Sequence, residues 1–341
     1  MFRTKTTLVV GAGAGFELEM PEPRELLAKI AQGYDFARLG SELQTRDMVM
    51  LGRHFEKYAR RIGTTPEKLQ DAANAIRVAA RVTGSIDAIL EQHGSNPLVL
   101  AAGKLAIVYY TLQAEARSPL GAEPREPGDL PLRGHENWLF QIGRMLVSGV
   151  PRAKAEQCFD NLSIIQFGYD RSVRHYLPWV VHMAFGMSLG EARQLVGAKL
   201  NITYPFGNVG RLPWEKGEAP DVDWGVEEPW NIHALVGEIR TASELRSRPQ
   251  AAHRLIAEVA SGKRLVFLGF GFDPLHTDLL IDYSLSHEPD VLVALTGLAE
   301  APRAAVLRTL RRMAGVDESQ IAFNDVRAFQ LLRDYAPFLE S

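Results

Sequence analysis

Gly11, Ala12, Gly13, Ala14 and Gly15 follow directly on the β-branched, apolar run Thr7-Leu8-Val9-Val10. Glycines in that place let backbone N–H groups approach a pyrophosphate, and the helix that follows offers the positive end of its dipole. The spacing is G-x-G-x-G; residue 16 is Phe, so the dinucleotide fingerprint G-x-G-x-x-G is not completed. The competing reading is a tight strand–helix turn with no ligand. Three further strand ends carry unusual residues: Gly168-Tyr169-Asp170, Phe206-Gly207-Asn208 and Gly269-Phe270-Gly271-Phe272-Asp273. A carboxylate at Asp170 is able to stabilise an oxocarbenium-like transition state or orient a water; it is equally a cap for a helix starting at Arg171. Asp273 suits either a ribose hydroxyl or the cap of a turn. The expected nucleotide-binding set is Gly11, Ala12, Gly13, Ala14, Gly15, Asp170, Gly207, Gly269, Gly271 and Asp273, and Asp170 is the expected catalytic group.

Other candidates read as structural. His175 lies five residues beyond Asp170, and helical geometry turns it away by roughly 140°, so it is expected at an interface or the surface. His276 and Asp278 read as a polar helix face. Tyr204, Phe206, Trp214, Trp224 and Trp230 are placed to stack on a base or to pack their loops onto the core. Residues 215–230 are acidic and contain proline, which suits a mobile lid or a surface that meets a partner.

Positioning these residues requires parallel strands whose carboxyl ends converge. Residues 7–10, 162–167, 200–204, 264–270, 290–295 and 321–326 read as strands. Residues 23–32, 170–185 and 301–314 read as helices between them. Such alternation predicts an α/β fold: a Rossmann-like parallel sheet with helices on both faces. Residues 41–120 are helical in pattern, with apolar spacing of three and four over 47–62, 66–83 and 97–118. This block is expected as an inserted all-helical lobe to one side. The chain is then one domain, its sheet drawn from about 1–40 and 135–341. Residues 121–134 are dense in Pro and Gly and read as an exposed loop, with a helix over 135–147.

Composition narrows the function. The net charge is −3, without the basic excess of a nucleic-acid binder, so no nucleic-acid partner is expected. Cys158 is the only cysteine, which excludes an intrachain disulfide and a cysteine-rich zinc site; no metal is expected. The longest apolar runs suit buried strands and fall short of the about 20 residues a membrane span needs, so no membrane is expected. A cytoplasmic location fits the cysteine usage.

The order of these motifs resembles the SIR2-like family, in particular the SIR2-like domains of bacterial defence proteins. LVVGAGAGFELEMPEPRELLAKIA is similar to the family's opening strand, GAGAS turn and proline-led helix. Ser85 to Leu90 (SIDAIL) resembles the SID-x-[FI]-L motif of its bacterial branch, and Gly103-Lys104-Leu105-Ala106-Ile107 with Glu115 and Ser118 resembles the helix that follows it. IIQFGYDRSVRHYL resembles IITFNYDRSLEHYL, TYPFGNVGRLPW resembles H-P-Y-G-x-V-G-x-L-P-W, and LVFLGFGFDPLHTDLL resembles the last glycine loop. The resemblance implies a fold that binds NAD, or an ADP-ribose-like nucleotide, and cleaves NAD at the nicotinamide–ribose bond within an antiphage system. A helical lobe stands where deacylase members carry zinc. The family's catalytic Asn falls on Gly168, its His on Phe206 or, in another register, Tyr204, and the Ser of GAGAS on Gly15. These replacements imply NAD hydrolysis that is weak or lost. The alternatives are an active NADase built on surrogate residues, and a noncatalytic NAD or ADP-ribose sensor or scaffold that holds a protein partner or a second copy.

Overall fold

The computed structural model describes residues 1–121, 137–281, 285 and 287–341. Six strands form one sheet: β1 (Thr6–Val10), β2 (Leu162–Gln166), β3 (Asn201–Thr203), β4 (Arg264–Leu268), β5 (Asp290–Ala294) and β6 (Ile321–Asn324). Their order is β3-β2-β1-β4-β5-β6, and every ladder is parallel. The strand order reverses direction between β1 and β4, which is the doubly wound Rossmann arrangement. The β-branched runs make these strands because both faces are covered and no polar alternation is needed. Neighbouring side chains still alternate between faces. Val9 joins one core with Ile165, Phe267 and Val293, whereas Leu8 and Val10 join the other with Ile164, Val266 and Leu292.

The helical block starts at Arg46–Ile62 and continues through Pro66–Ala79, Ile86–Gln92 and Pro97–Arg117. Thr45, Thr65, Ser85 and Asn96 cap these four helices, each accepting from a backbone N–H of its first turn. The block is less separate than its composition suggests. Leu51, Phe55, Leu69, Ile76, Leu105 and Val108 belong to the same continuous core as Val9 and Phe267 of the sheet. The Pro97–Arg117 helix is long and apolar enough to cross a membrane, a feature missed when apolar runs alone are counted, and 78% of its most apolar window is buried within the fold. Helices Leu189–Lys199 and Pro249–Ser261 also went without a sequence assignment. The Trp138–Val147 helix is described from residue 137 onward. Past residue 121, the expected loop over 121–134 and the expected helix start at 135 lie outside the described residues.

Two imidazoles, one buried and one half-buried, are expected to make this fold sensitive to acid. His54 packs against His233 (ring centroids 5.4 Å apart) and neither of its nitrogens has a partner among the described residues. His175, expected at an interface or the surface, stacks on Trp224 at 4.3 Å, and its Nε2 lies 3.1 Å from the Leu120 carbonyl. Burial pushes both down to about 4, helped in His54 by His233 and Lys57. A histidine whose folded pKa is depressed contributes stability that is full above its unfolded value, about 6.5. That contribution is lost as pH falls from there toward 4. The urea midpoint is therefore expected to drop across that window, and His54→Phe to remove part of the drop. A midpoint that stays level from pH 6.5 to 4 would show that neither imidazole is held neutral.

Candidate functional site

The turns after β1 and β4 meet at the point where the strand order reverses. Gly11 N–H donates to the Leu268 carbonyl (2.9 Å) and Gly13 N–H to the Gly269 carbonyl (3.0 Å). A Cβ on Gly11 would lie 2.4 Å from the Gly269 oxygen, and one on Gly13 2.8 Å from it. Gly269 has φ +56°, and a Cβ there would lie 2.1 Å from the Ala14 nitrogen. These glycines are required by backbone-to-backbone packing between two turns. Of the backbone N–H groups read as open to a pyrophosphate, the Gly13 N–H is spent on β4's turn and the Ala14 N–H on the Gly11 carbonyl at 3.1 Å.

Above this floor opens a cavity of about 570 Å³, within the range of small-molecule sites. Gly11, Ala12, Gly13, Gly15, Gly269 and Gly271 line it, as do Asp170 and Asp273. Two residues of the expected set do not. Ala14 is buried in the core beneath, and Gly207 has φ +77° with the Glu238 carbonyl where its Cβ would be. Phe206 is likewise buried and absent from the lining.

Asp170 stands one residue before the N-cap, Arg171, and braces the first helical residue rather than capping the helix itself. Its Oδ1 accepts from Ser172 N–H and Gln166 Nε2, both at 3.1 Å, and from the Ser172 hydroxyl, so the helix begins at Ser172 (Ser172–Phe185). The other oxygen, Oδ2, lies 2.7 Å from where a Cβ on Gly168 would be. Gly168 has no left-handed backbone to require glycine; its missing side chain leaves space beside the carboxylate. Next to it, the Tyr169 hydroxyl donates to Asp87 Oδ1, tying the GYD segment to the SID segment of the helical block. Ser85, Asp87 and Ala88 thereby become one wall of the cavity. Arg171 and Glu115 add a second tie. Both are fully buried; Glu115 accepts from the Arg171 backbone N–H (2.8 Å), from Nε (3.2 Å) and from Nη2, while Nη1 donates to the Val222 carbonyl (2.6 Å).

Lining residues outside the expected binding set include Trp138, Gln166, Arg24 and His276, the last read from sequence as part of a polar helix face. Trp138 Nε1 and Gln166 Oε1 are buried without a hydrogen-bond partner among the described residues. Buried polar atoms are normally satisfied, so orphans on a cavity wall are groups that a ligand can satisfy. Arg24 brings a cation to a lining that also holds Glu22, Asp87, Asp170 and Asp273. Carboxylates in such number favour hydroxyl-rich ligands over highly phosphorylated ones. Among the described residues, no group of three or more His, Cys, Asp or Glu side chains is placed to hold a metal ion.

The aromatics of the central loops follow their packing reading except for Trp230. Tyr204, Trp214 and Trp224 rest on the core, and Trp230 is 93% exposed. Residues 215–230 take no part in the cavity lining. Ion pairs hold that segment down: Glu215 to Arg174 (2.8 Å), Asp221 to Arg211 (2.7 Å) and Glu227 to Arg46 (3.3 Å). No protein-family model matches this chain, and no curated protein matches it significantly.

Proposed function

We propose that this chain is a SIR2-like nucleotide-binding protein that takes NAD, or an ADP-ribose-like fragment of it, in the cavity above β1 and β4. The observation that supports this most is the coincidence of three features at one place: the reversal of strand order, glycine turns on both central strands, and a cavity of about 570 Å³. Open parallel sheets take their ligands at that position. Asp170 and Asp87 offer acceptors to ribose hydroxyls, Arg24 a charge for a phosphate, and Trp138 an aromatic wall with a free donor. The motif resemblance extends the proposal to a cytoplasmic role in bacterial antiphage defence, with a protein partner or a second copy of the chain.

Hydrolysis of NAD is proposed to be slow or absent. Gly168 provides no amide to hold the reacting ribose or a water, and Phe206 is buried away from the lining. Losing a positioned base or orienting group costs about 10² to 10⁴ in rate. Titration calorimetry tests the binding: NAD and ADP-ribose are each expected to give a saturable heat at one site per chain. Absence of heat with both at millimolar concentration would remove the nucleotide reading and leave a scaffold whose glycines serve backbone packing.

A further inference from the structure

His276 has no role so far, and as part of a polar helix face it would need none. Its surroundings are not those of a polar face. Its ring lies 5.3 Å from that of Phe167, nearly parallel to it, and 5.0 Å from that of Phe206. Phe270 closes a third side at 6.4 Å. The imidazole lines the cavity, and none of the described residues hydrogen-bonds its nitrogens. It is the one imidazole among the described lining residues.

The chain takes an unusual path to put it there. Phe272 has φ +53°, a left-handed conformation that bulky residues rarely adopt. Its ring packs on Phe267 (5.1 Å) and Phe270 (5.0 Å), which holds that turn. Asp273 then caps the short helix Pro274–Leu280 by accepting from Leu275 N–H at 2.8 Å. Residues three apart on a helical turn share a side, and Asp273 and His276 both line the cavity. Strain of this kind gathers where a fold must hold a functional group.

We propose that His276 is the proton acceptor of this site, replacing in function the base that Phe206 cannot be. The proposal rests on the nucleotide reading above. In the step, a water oxygen forms a bond to the anomeric carbon of the nicotinamide ribose. The N-glycosidic bond breaks, its electron pair returning to the pyridinium nitrogen, so nicotinamide leaves neutral. The proton released by the water goes to the free imidazole nitrogen of His276, and ADP-ribose remains. Three phenyl rings pack around the imidazole, while Asp170, also on the cavity lining, is available to the positive charge developing on the ribose.

The test measures nicotinamide release and NAD affinity on the same samples of the full chain, for wild type, His276→Gln and His276→Phe. His276→Phe keeps the aromatic box filled, so loss of packing and loss of the base are separated. Wild type is expected to turn over slowly but above the uncatalysed background. Both variants are expected to lose about 100-fold or more in nicotinamide release and to keep NAD affinity within about threefold. Variants as fast as wild type, or a wild type that binds NAD and releases no nicotinamide, would overturn the assignment of His276 and leave the binding site standing. A wild type that gives no calorimetric signal with NAD would overturn the nucleotide reading itself.

Discussion

Glu115→Ala is expected to cost about 3–5 kcal/mol of folding stability, measured as the shift of the urea transition at constant m. Arg171 is entirely buried, and among the described residues Glu115 is the carboxylate it pairs with. The attraction of such a pair is largely consumed in taking both charges from water, so the intact pair is not a large net gain. Removing one partner is different, because the guanidinium then stays buried and uncompensated. Glu115→Gln keeps the shape and should recover part of the loss through amide-to-guanidinium contacts that carry no charge. The double variant Glu115→Leu with Arg171→Met should be less damaged than Glu115→Ala. It still orphans the Val222 carbonyl that Nη1 now serves, at about 1–3 kcal/mol. A loss under about 1 kcal/mol for Glu115→Ala would mean that water reaches Arg171, and that the tie between the helical block and the loop after β2 is weaker than its geometry.

The glycines around the cavity are expected to divide into two classes with opposite failures. Gly269→Ala combines a left-handed backbone with a Cβ 2.1 Å from the Ala14 nitrogen. The neighbour is backbone and cannot swing away, so the loss should be on the order of 3 kcal/mol or more. Gly13→Asp fails in the same way, against the Gly269 carbonyl, and would lose ligand binding by losing the fold. Gly271 is the clean probe. It lines the cavity, its backbone is not left-handed, and a Cβ there meets nothing within 4 Å. Gly271→Trp should stay within about 0.5 kcal/mol of wild type in urea, while NAD binding weakens by about 100-fold or more as the indole fills the cavity. Unchanged affinity in a folded Gly271→Trp protein would place the ligand elsewhere.

Local pattern carried the fold a long way. Each of the six strands was legible as a short β-branched or apolar run; the structure begins β1 one residue earlier, at Thr6, and shortens the other five by a residue or two at their carboxyl ends. The parallel sheet and its two covered faces followed from alternation with helices. The site was legible only in outline, and the reason is the distance in sequence between its parts. Gly13 reads the same whether its amide serves a phosphate or the Gly269 carbonyl, because the deciding atom is some 250 residues away. Phe206 and Gly207 stood at a strand end like the true lining residues, yet they pack inward against Phe167 and Glu238. Trp138 lines the cavity while Trp214 and Trp224 do not, and no property of an indole in sequence separates the three. His276 was legible as a helix residue. Its aromatic box draws on the ends of β2, β3 and β4 and appears only when those strands lie side by side.

The strand order has a consequence for synthesis on the ribosome. β1 is made first, and its two neighbours begin at Leu162 and Arg264. At about 5–20 residues per second, β1 waits roughly 8–30 s for β2 and longer for β4. During that interval the helices of residues 46–117, whose contacts are mostly local, are the part able to fold. The five residues Thr6–Val10 meanwhile have both edges open, a template for pairing with another nascent chain. Arg3 and Lys5 stand immediately before them, and charges flanking an exposed apolar strand are the kind that discourage such pairing. The strand at the centre of the finished sheet is therefore the one that spends longest without neighbours.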